Sequence, residues 1–247
     1  MSDLVIPAET VQRYDAVRRP WLRGDYVHRL LAGVRGQRVL ELLCGDGTTA
    51  VLLALRGALV VGLDPSAEAI ATARRRTEAN GTAATATFEV ASIPRDLGAV
   101  PAGSFDLIYA PMTLHRFRDR LSLLLPEIAR IGRPGAMLVF VEPVSLWGWR
   151  RALRERIRPR PSTAPTPLDA ADIAALRRAF PGLQVRYFGL FAALLQRAGF
   201  APVYEKSNIL ERLTYDAAGI FDQFLFRVLR LEGLASSAVI EATTPSR

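Results

Sequence analysis

The chain has 247 residues, 50% hydrophobic and 23% charged, which is enough for one domain with an added cap and a large buried core. Cys44 is the only cysteine, so an internal disulfide is excluded. The net charge of +8 is almost all arginine, because Lys206 is the only lysine; it keeps a nucleic-acid partner in view without requiring one.

Two helices are expected over residues 8–33, with Tyr14, Val17, Trp21, Leu22, Val27, Leu30 and Leu31 at helical spacing. From there the pattern alternates. A strand at about 38–42 leads to a helix at about 47–56, ended by Gly57, and a second strand follows at about 58–63. Asp64-Pro65-Ser66 opens the next helix with a cap and an early proline, and Asn80-Gly81 closes it. Strands three, four and five are expected near 85–90, 105–109 and 136–141, with a helix at about 118–131 between the last two. Strands alternating with helices imply a parallel sheet covered on both faces.

After Glu142 the texture changes. The run from Trp147 to Pro161 is strongly basic, and 162–167 is proline-rich. A helix is expected from Asp172 to Phe180, a sixth strand from Leu183 to Phe188, and apolar helical stretches at 189–199 and 215–231. A last strand is expected at 236–242. No apolar run nears the ~18 residues that a spanning helix needs. The beginning of the chain lacks a basic-then-apolar leader pattern. A cytoplasmic protein is the expectation.

The chemistry concentrates between Arg38 and Asp64. An apolar strand ends on Glu41, a glycine loop follows at Gly45 and Gly47, and a second apolar strand ends on Asp64. The glycines let the backbone turn sharply and approach a ligand. The N–H groups opening the next helix favour an anionic group. A carboxylate about twenty residues beyond such a loop accepts hydrogen bonds from ribose hydroxyls. Glu41 is placed to hold a cationic amine. Ribose, an amine and a carboxylate together describe S-adenosylmethionine. Gly45-x-Gly47-x-x-Ala50 also fits the relaxed dinucleotide fingerprint, but the charge of Glu41 would repel a pyrophosphate.

These segments resemble class I S-adenosylmethionine-dependent methyltransferases that modify small molecules. Val39–Gly47 matches the family's first motif, and Val60–Ser66 its second strand and acid. Ser104–His115 matches the fourth strand and its sequel, and Ile131–Leu138 the approach to the fifth. The chain departs from the family at Leu43, where glycine is usual, and at Ser92, where an aspartate usually meets the adenine amine. The resemblance implies an α/β, Rossmann-like, seven-stranded and mostly parallel sheet with an antiparallel last strand. It also implies an N-terminal helical cap over residues 1–36, a cofactor-binding core over 37–142, an acceptor-side helical insertion over 143–234, and a last strand and tail over 235–247. The cofactor positions it implies are Tyr14, Glu41, Leu43, Gly45, Gly47, Asp64, Pro65, Ser92, Ile93 and Ala110. No metal is expected, since no zinc-like Cys/His spacing occurs.

Methyl transfer to a hydroxyl also needs a proton removed. His115, a few residues past strand four, is the first candidate base, histidine being the residue type suited to proton abstraction. It competes with a reading in which the ring seats the next helix. Glu142, at the end of strand five, is the second candidate, and turn capping is the reading preferred for it. A small hydrophobic or aromatic acceptor, methylated on oxygen, is expected in a pocket drawn from Trp147, Trp149, Phe188, Phe191, Phe221, Phe224 and Phe226; simple core packing is the competing reading. The alternatives are a nucleic-acid methyltransferase using Arg150–Arg160 and an S-adenosylmethionine-binding protein that does not methylate. Ala110-Pro-Met stands where amino-methylating enzymes of nucleic acids carry an Asn/Asp-Pro-Pro-aromatic motif, so nucleic acid is disfavoured. The same basic run admits peripheral contact with an anionic membrane surface. Sequence leaves the oligomeric state open.

Overall fold

The structure is a computed structural model that describes residues 2–16, 19–148, 165–191 and 209–245, with Arg156, Leu194 and Leu195 as isolated positions. The basic run at 150–160, Trp149 and most of the helix expected at 189–199 lie outside the described residues. Helices α1 (Ala8–Ala16) and α2 (Arg23–Leu30) precede β1 (Arg38–Leu42). Then follow α3 (Thr48–Leu55), β2 (Leu59–Asp64), α4 (Ala67–Ala79), β3 (Ala86–Val90) and β4 (Phe105–Pro111). The later elements are α5 (Leu121–Ile131), β5 (Gly132–Pro143), α6 (Ala170–Ala179), β6 (Gln184–Phe188), α7 (Ile209–Arg227) and β7 (Ser237–Thr243).

The strands form one seven-stranded sheet in the order β3-β2-β1-β4-β5-β7-β6. β1 pairs in parallel with β2 and β4, and β4 with β5. β7 runs antiparallel to both β5 and β6. The chain turns from one half of the sheet to the other between β1 and β4, and a crevice opens at the carboxyl ends of strands at such a point. Glu41 ends up level with Tyr109 of β4 and Gly62 of β2.

Period-two alternation divides the core. Leu40, Leu42, Ile108, Ala110, Leu138 and Phe140 face α5 and α6, where Leu124, Ile128 and Leu176 are fully buried. Val39, Val60, Leu107 and Val139 face the other way, onto Val27 of α2, Val51 and Leu53 of α3 and Ile70 of α4. Each fully buried Leu, Ile or Phe contributes about 1.5–3 kcal/mol.

Several boundaries differ from expectation for local reasons. α6 starts at Ala170, not Asp172, because Asp169 caps it: its carboxylate accepts the Ala171 and Asp172 N–H groups, and Asp172 accepts the N–H of Asp169. β5 starts at Gly132, since Phe105 and Thr244 supply partners to a stretch whose glycines and proline read as a loop. Residues 114–120 form a 3₁₀ segment, and α5 begins only at Leu121. The helix expected at 215–231 runs instead over Ile209–Arg227.

α7 lies between β6 and β7 and packs across the amino-terminal cap. The Trp21 indole donates to Asp216 at 3.2 Å, and a Cβ on Gly219 would stand 2.8 Å from Leu22. Its buried side is polar. Gln223 donates to the Tyr187 carbonyl of β6, and the carboxylate of Asp222 accepts the N–H groups of Leu190 and Phe191 at 3.0 and 2.8 Å. Replacing Asp222 with Ala leaves both amides unpaired, at a cost of about 2–3 kcal/mol. The melting temperature of Asp222→Ala is expected to fall by roughly 4–12 °C in calorimetry, with a smaller fall for Asp222→Asn, which keeps one acceptor.

Candidate functional site

The glycine loop between β1 and α3 is held in shape by backbone conformation and by two acids. Leu43, Gly45 and Gly47 all adopt positive φ, at 54°, 55° and 74°. Glycine takes this conformation freely, whereas a leucine is strained in it; that is the physical content of the departure at Leu43. At Gly47 a Cβ would lie 2.7 Å from Ala73 and 2.9 Å from Phe88, so the loop sits tightly against α4 and β3. At Gly45 a Cβ would meet nothing within 4 Å. The space in front of the loop is open.

Asp64, the last residue of β2, is buried and fixes the loop to the sheet. One carboxylate oxygen accepts the Gly45 N–H at 3.0 Å, the other the Ser66 N–H at 2.8 Å. A carboxylate offers about four acceptor positions, so about two remain for a ligand. Ser66 caps α4 by accepting the Ala69 N–H, and Pro65 is exposed beside it.

Glu41 is 2% exposed, and its Oε2 has no hydrogen-bond partner among the described residues. Burial pushes its carboxyl pKa up to about 8, with the charges of Asp46 and Asp64 adding to the rise and hydrogen bonds from Ala50 and Thr49 opposing it. A buried acid with an oxygen that has no donor, beside a glycine loop, is chemically able to accept from a cationic group. Cys44, between these acids, is buried and its thiol is pushed far up, first by desolvation and then by Glu41. It is an inert packing residue.

Arg76, on α4, is the partner of the loop that the sequence did not disclose. Its guanidinium pairs with Asp46 at 2.7 Å, donates to the Asp46 carbonyl and reaches the carbonyls of Asp3 and Leu4. The available signal was an arginine on the inward face of α4, between Ala73 and Thr77. Tyr14 belongs to α1, but its side chain lies outside the described residues. Ser92 is exposed just past β3, with its N–H donating to Asp96; Ile93 and Ala110 are buried.

His115 and Glu142 meet. The Nδ1 of His115 lies 2.7 Å from Oε2 of Glu142, and both side chains are buried. Glu142 also accepts the backbone N–H groups of Thr113, Leu114 and His115 at 2.8, 2.8 and 3.2 Å. Each of its oxygens thus takes two donors, which fills a carboxylate's acceptor capacity. Glu142 therefore caps the turn after β4 and has no site left to take a proton from a substrate. Arg118, next in the 3₁₀ segment, pairs with Asp169 and Asp172 and fastens the turn to α6.

Among the described residues, which leave out Trp149, the expected aromatic pocket does not assemble. Phe226 and Phe188 are buried core, the latter against Tyr26, and a Cβ on Gly233 would overlap the Trp147 ring. Phe191, Phe221 and Phe224 face outward. Asp222 and Gln223 of α7 are turned inward to serve the backbone of β6 and the residues after it, and Phe221 and Phe224 fall on the outer side. Among the described residues no cluster of His, Cys, Asp and Glu could hold a metal ion, and no described helix is long and apolar enough to cross a membrane.

Residues 39–135 match the family described as methyltransferase domain. An uncharacterised methyltransferase of Synechocystis is 35% identical over 108 residues, 43% of this chain and 47% of the relative. A ubiquinone biosynthesis O-methyltransferase of Vibrio parahaemolyticus is 33% identical over 119 residues, 48% of this chain and 49% of the relative. The chain spans about half the length of these curated relatives. A solved S-adenosylmethionine-dependent methyltransferase from Archaeoglobus fulgidus aligns with a TM-score of 0.58 at 17% identity, covering 88% of this chain and 91% of that one. Residues 39–135 thus match a methyltransferase domain, on the fold seen in the S-adenosylmethionine-dependent methyltransferase of Archaeoglobus fulgidus. The orphaned Glu41 oxygen and the open front of Gly45 fit that cofactor.

The raised Glu41 pKa has a consequence for the free protein. Unfolded, the group ionises near pH 4.5; folded, near 8. The folded state keeps its proton longer, so this contribution to stability is fully present below pH 4.5 and is lost as pH rises through 8. The loss is on the order of a few kcal/mol for so buried a group. Chemical denaturation across pH 5–8 is expected to show a decline in wild type that is largely absent in Glu41→Gln.

Proposed function

We propose that the protein transfers a methyl group from S-adenosylmethionine to a small, hydrophobic or aromatic metabolite, on oxygen. The observation that carries this reading is the pair of acids flanking an open glycine loop, one of them buried with a vacant acceptor. The cofactor supplies an activated methyl group on a sulfonium centre. Asp64 would accept the ribose hydroxyls with its remaining lone pairs, and Glu41 the ammonium of the amino-acid end. The loop backbone around Leu43, Gly45 and Gly47 would lie along that end. Pro65, Ser92, Ile93 and Ala110 are the residues proposed to border the nucleoside, and Tyr14 to approach the methionine end. The relative from Vibrio, an O-methyltransferase in ubiquinone biosynthesis, supports oxygen as the acceptor atom.

His115 is the proposed base. With its Nδ1–H donating to Glu142, a neutral ring presents Nε2 as an acceptor. Glu142 is then a positioning residue, holding the ring as the buried acid of a triad does. The turn that carries the ring is fixed by the same carboxylate.

The cofactor assignment is tested by titration calorimetry. Asp64→Ala is expected to weaken S-adenosylmethionine binding by about 1–3 kcal/mol, from the lost hydrogen bonds of a charged acceptor; unchanged affinity would remove the ribose role. The reaction is tested with candidate phenols and aliphatic alcohols by mass spectrometry, reading a gain of one methyl group in the product. With such an acceptor, His115→Gln is expected to lower kcat by about 10²–10⁴ while cofactor affinity stays within a factor of two or so. An equal rate in the variant would leave the ring a purely structural part.

A further inference from the structure

α7 is amphipathic in the reverse sense. Ile209, Leu213, Ile220, Phe221, Phe224 and, one residue past its end, Val228 fall within one arc of the helix and are 46–78% exposed. Their spacing of three, four and seven residues places them on a continuous face. The opposite arc, with Gly219, Asp222, Gln223 and Phe226, is the buried one. Isolated apolar residues on a surface need no account, but a contiguous row along a helix marks a contact face.

A second observation adjoins the first. Beside the carboxyl-terminal end of α7, along the sheet-edge strand β6, lies a cavity of about 370 Å³. Arg177, Arg186, Arg227 and Arg230 line it, with Glu232 and Glu241 opposite. None of the four guanidinium groups pairs with a carboxylate among the described residues. Arg186 lies 4.3 Å above the Tyr26 ring and bonds Gln223, while Glu241 takes the Tyr26 hydroxyl. Desolvation, followed by the neighbouring cations Arg227 and Arg29, makes the charge on Arg186 harder to hold. Arg227 belongs to both features: it lies two helical turns from Ile220 on the same side of α7. β6 is four strand spacings of about 4.8 Å from β1, so this corner is well removed from the glycine loop.

We propose that α7 docks the protein on an anionic lipid surface, with its apolar arc entering the headgroup boundary and the arginine cavity receiving lipid phosphate. An outward apolar face bordered by arginines that have no carboxylate partner among the described residues is what an interfacial helix presents. A second copy of this chain is a poorer occupant, because each copy carries +8 and the contact would bring like charges together. The proposal does not depend on methyl transfer.

The test is sedimentation of the full chain with vesicles of phosphatidylcholine alone, or containing about one-third phosphatidylglycerol, in parallel with its molar mass in solution. Binding is expected to the anionic vesicles only and to weaken as salt is raised. Arg227→Glu and Arg230→Glu are each expected to lower affinity at least fivefold or so. The pair Leu213→Glu and Phe224→Glu is expected to abolish sedimentation with the melting temperature and S-adenosylmethionine binding retained. Leu123→Glu, on the exposed side of α5, is expected to bind as wild type does. No binding, equal binding to neutral vesicles, or equal loss in Leu123→Glu overturns the proposal. A dimer that dissociates in Phe224→Glu without any vesicle binding also overturns it and assigns the face to self-association.

Discussion

The carboxylate of Asp64 is the joint on which the site is built. By accepting the N–H of Gly45 and that of Ser66, it ties the end of β2 to the loop after β1 and to the start of α4. The loop needs such an external partner. Three of its residues are in the left-handed region, so its amides cannot complete a helix or a strand among themselves. Arg76 supplies the second tie, from the opposite side, through Asp46. Between these two contacts the loop is pressed against Ala73 and Phe88 at Gly47 and left open at Gly45. Rigidity behind and space in front are what a loop needs to hold a ligand without rearranging.

The molecule uses buried acids in two opposite ways. Glu142 is saturated: three amides and an imidazole consume its acceptor capacity, and the reward is a fixed turn and an oriented ring. Glu41 is left incomplete, and the cost is a pKa pushed up to about 8. An unpaired buried polar atom is costly to stability, and proteins tolerate it where a ligand completes the bonding. The contrast supports the proposed division, in which the first acid holds the turn and the second binds the cofactor, more than their equal placement at strand ends could.

The cofactor half of the fold was legible because its signals are local. Apolar runs of five or six residues ending in acids, glycines at the turns, and Ser66 before α4 all act over a few neighbouring residues. The mostly parallel core followed from alternation, and the antiparallel last strand from the resemblance. Less legible were features decided by distant partners. Gly132 to Gly135 read as a loop, yet Thr244 and Phe105 draw them into β5. The helix starts before Asp172 because Asp169 and Asp172 each accept the other's backbone N–H. Most of all, the aromatic residues of α7 were read as walls of a pocket, since apolar residues usually face inward. The backbone of β6 and of the residues following it required polar partners at that place, and Asp222 and Gln223 took the inner face instead.

The position of β6 bears on how the protein behaves in a crowded solution. It is the outermost strand on its side of the sheet, and a bare strand margin is a template on which another chain can polymerise. Here the margin is only five residues long, carries a guanidinium at Arg186, and has the Tyr187 carbonyl already occupied by a glutamine side chain. The inward polar face of α7, which leaves Phe221 and Phe224 outside, thus also guards the sheet against fibre growth.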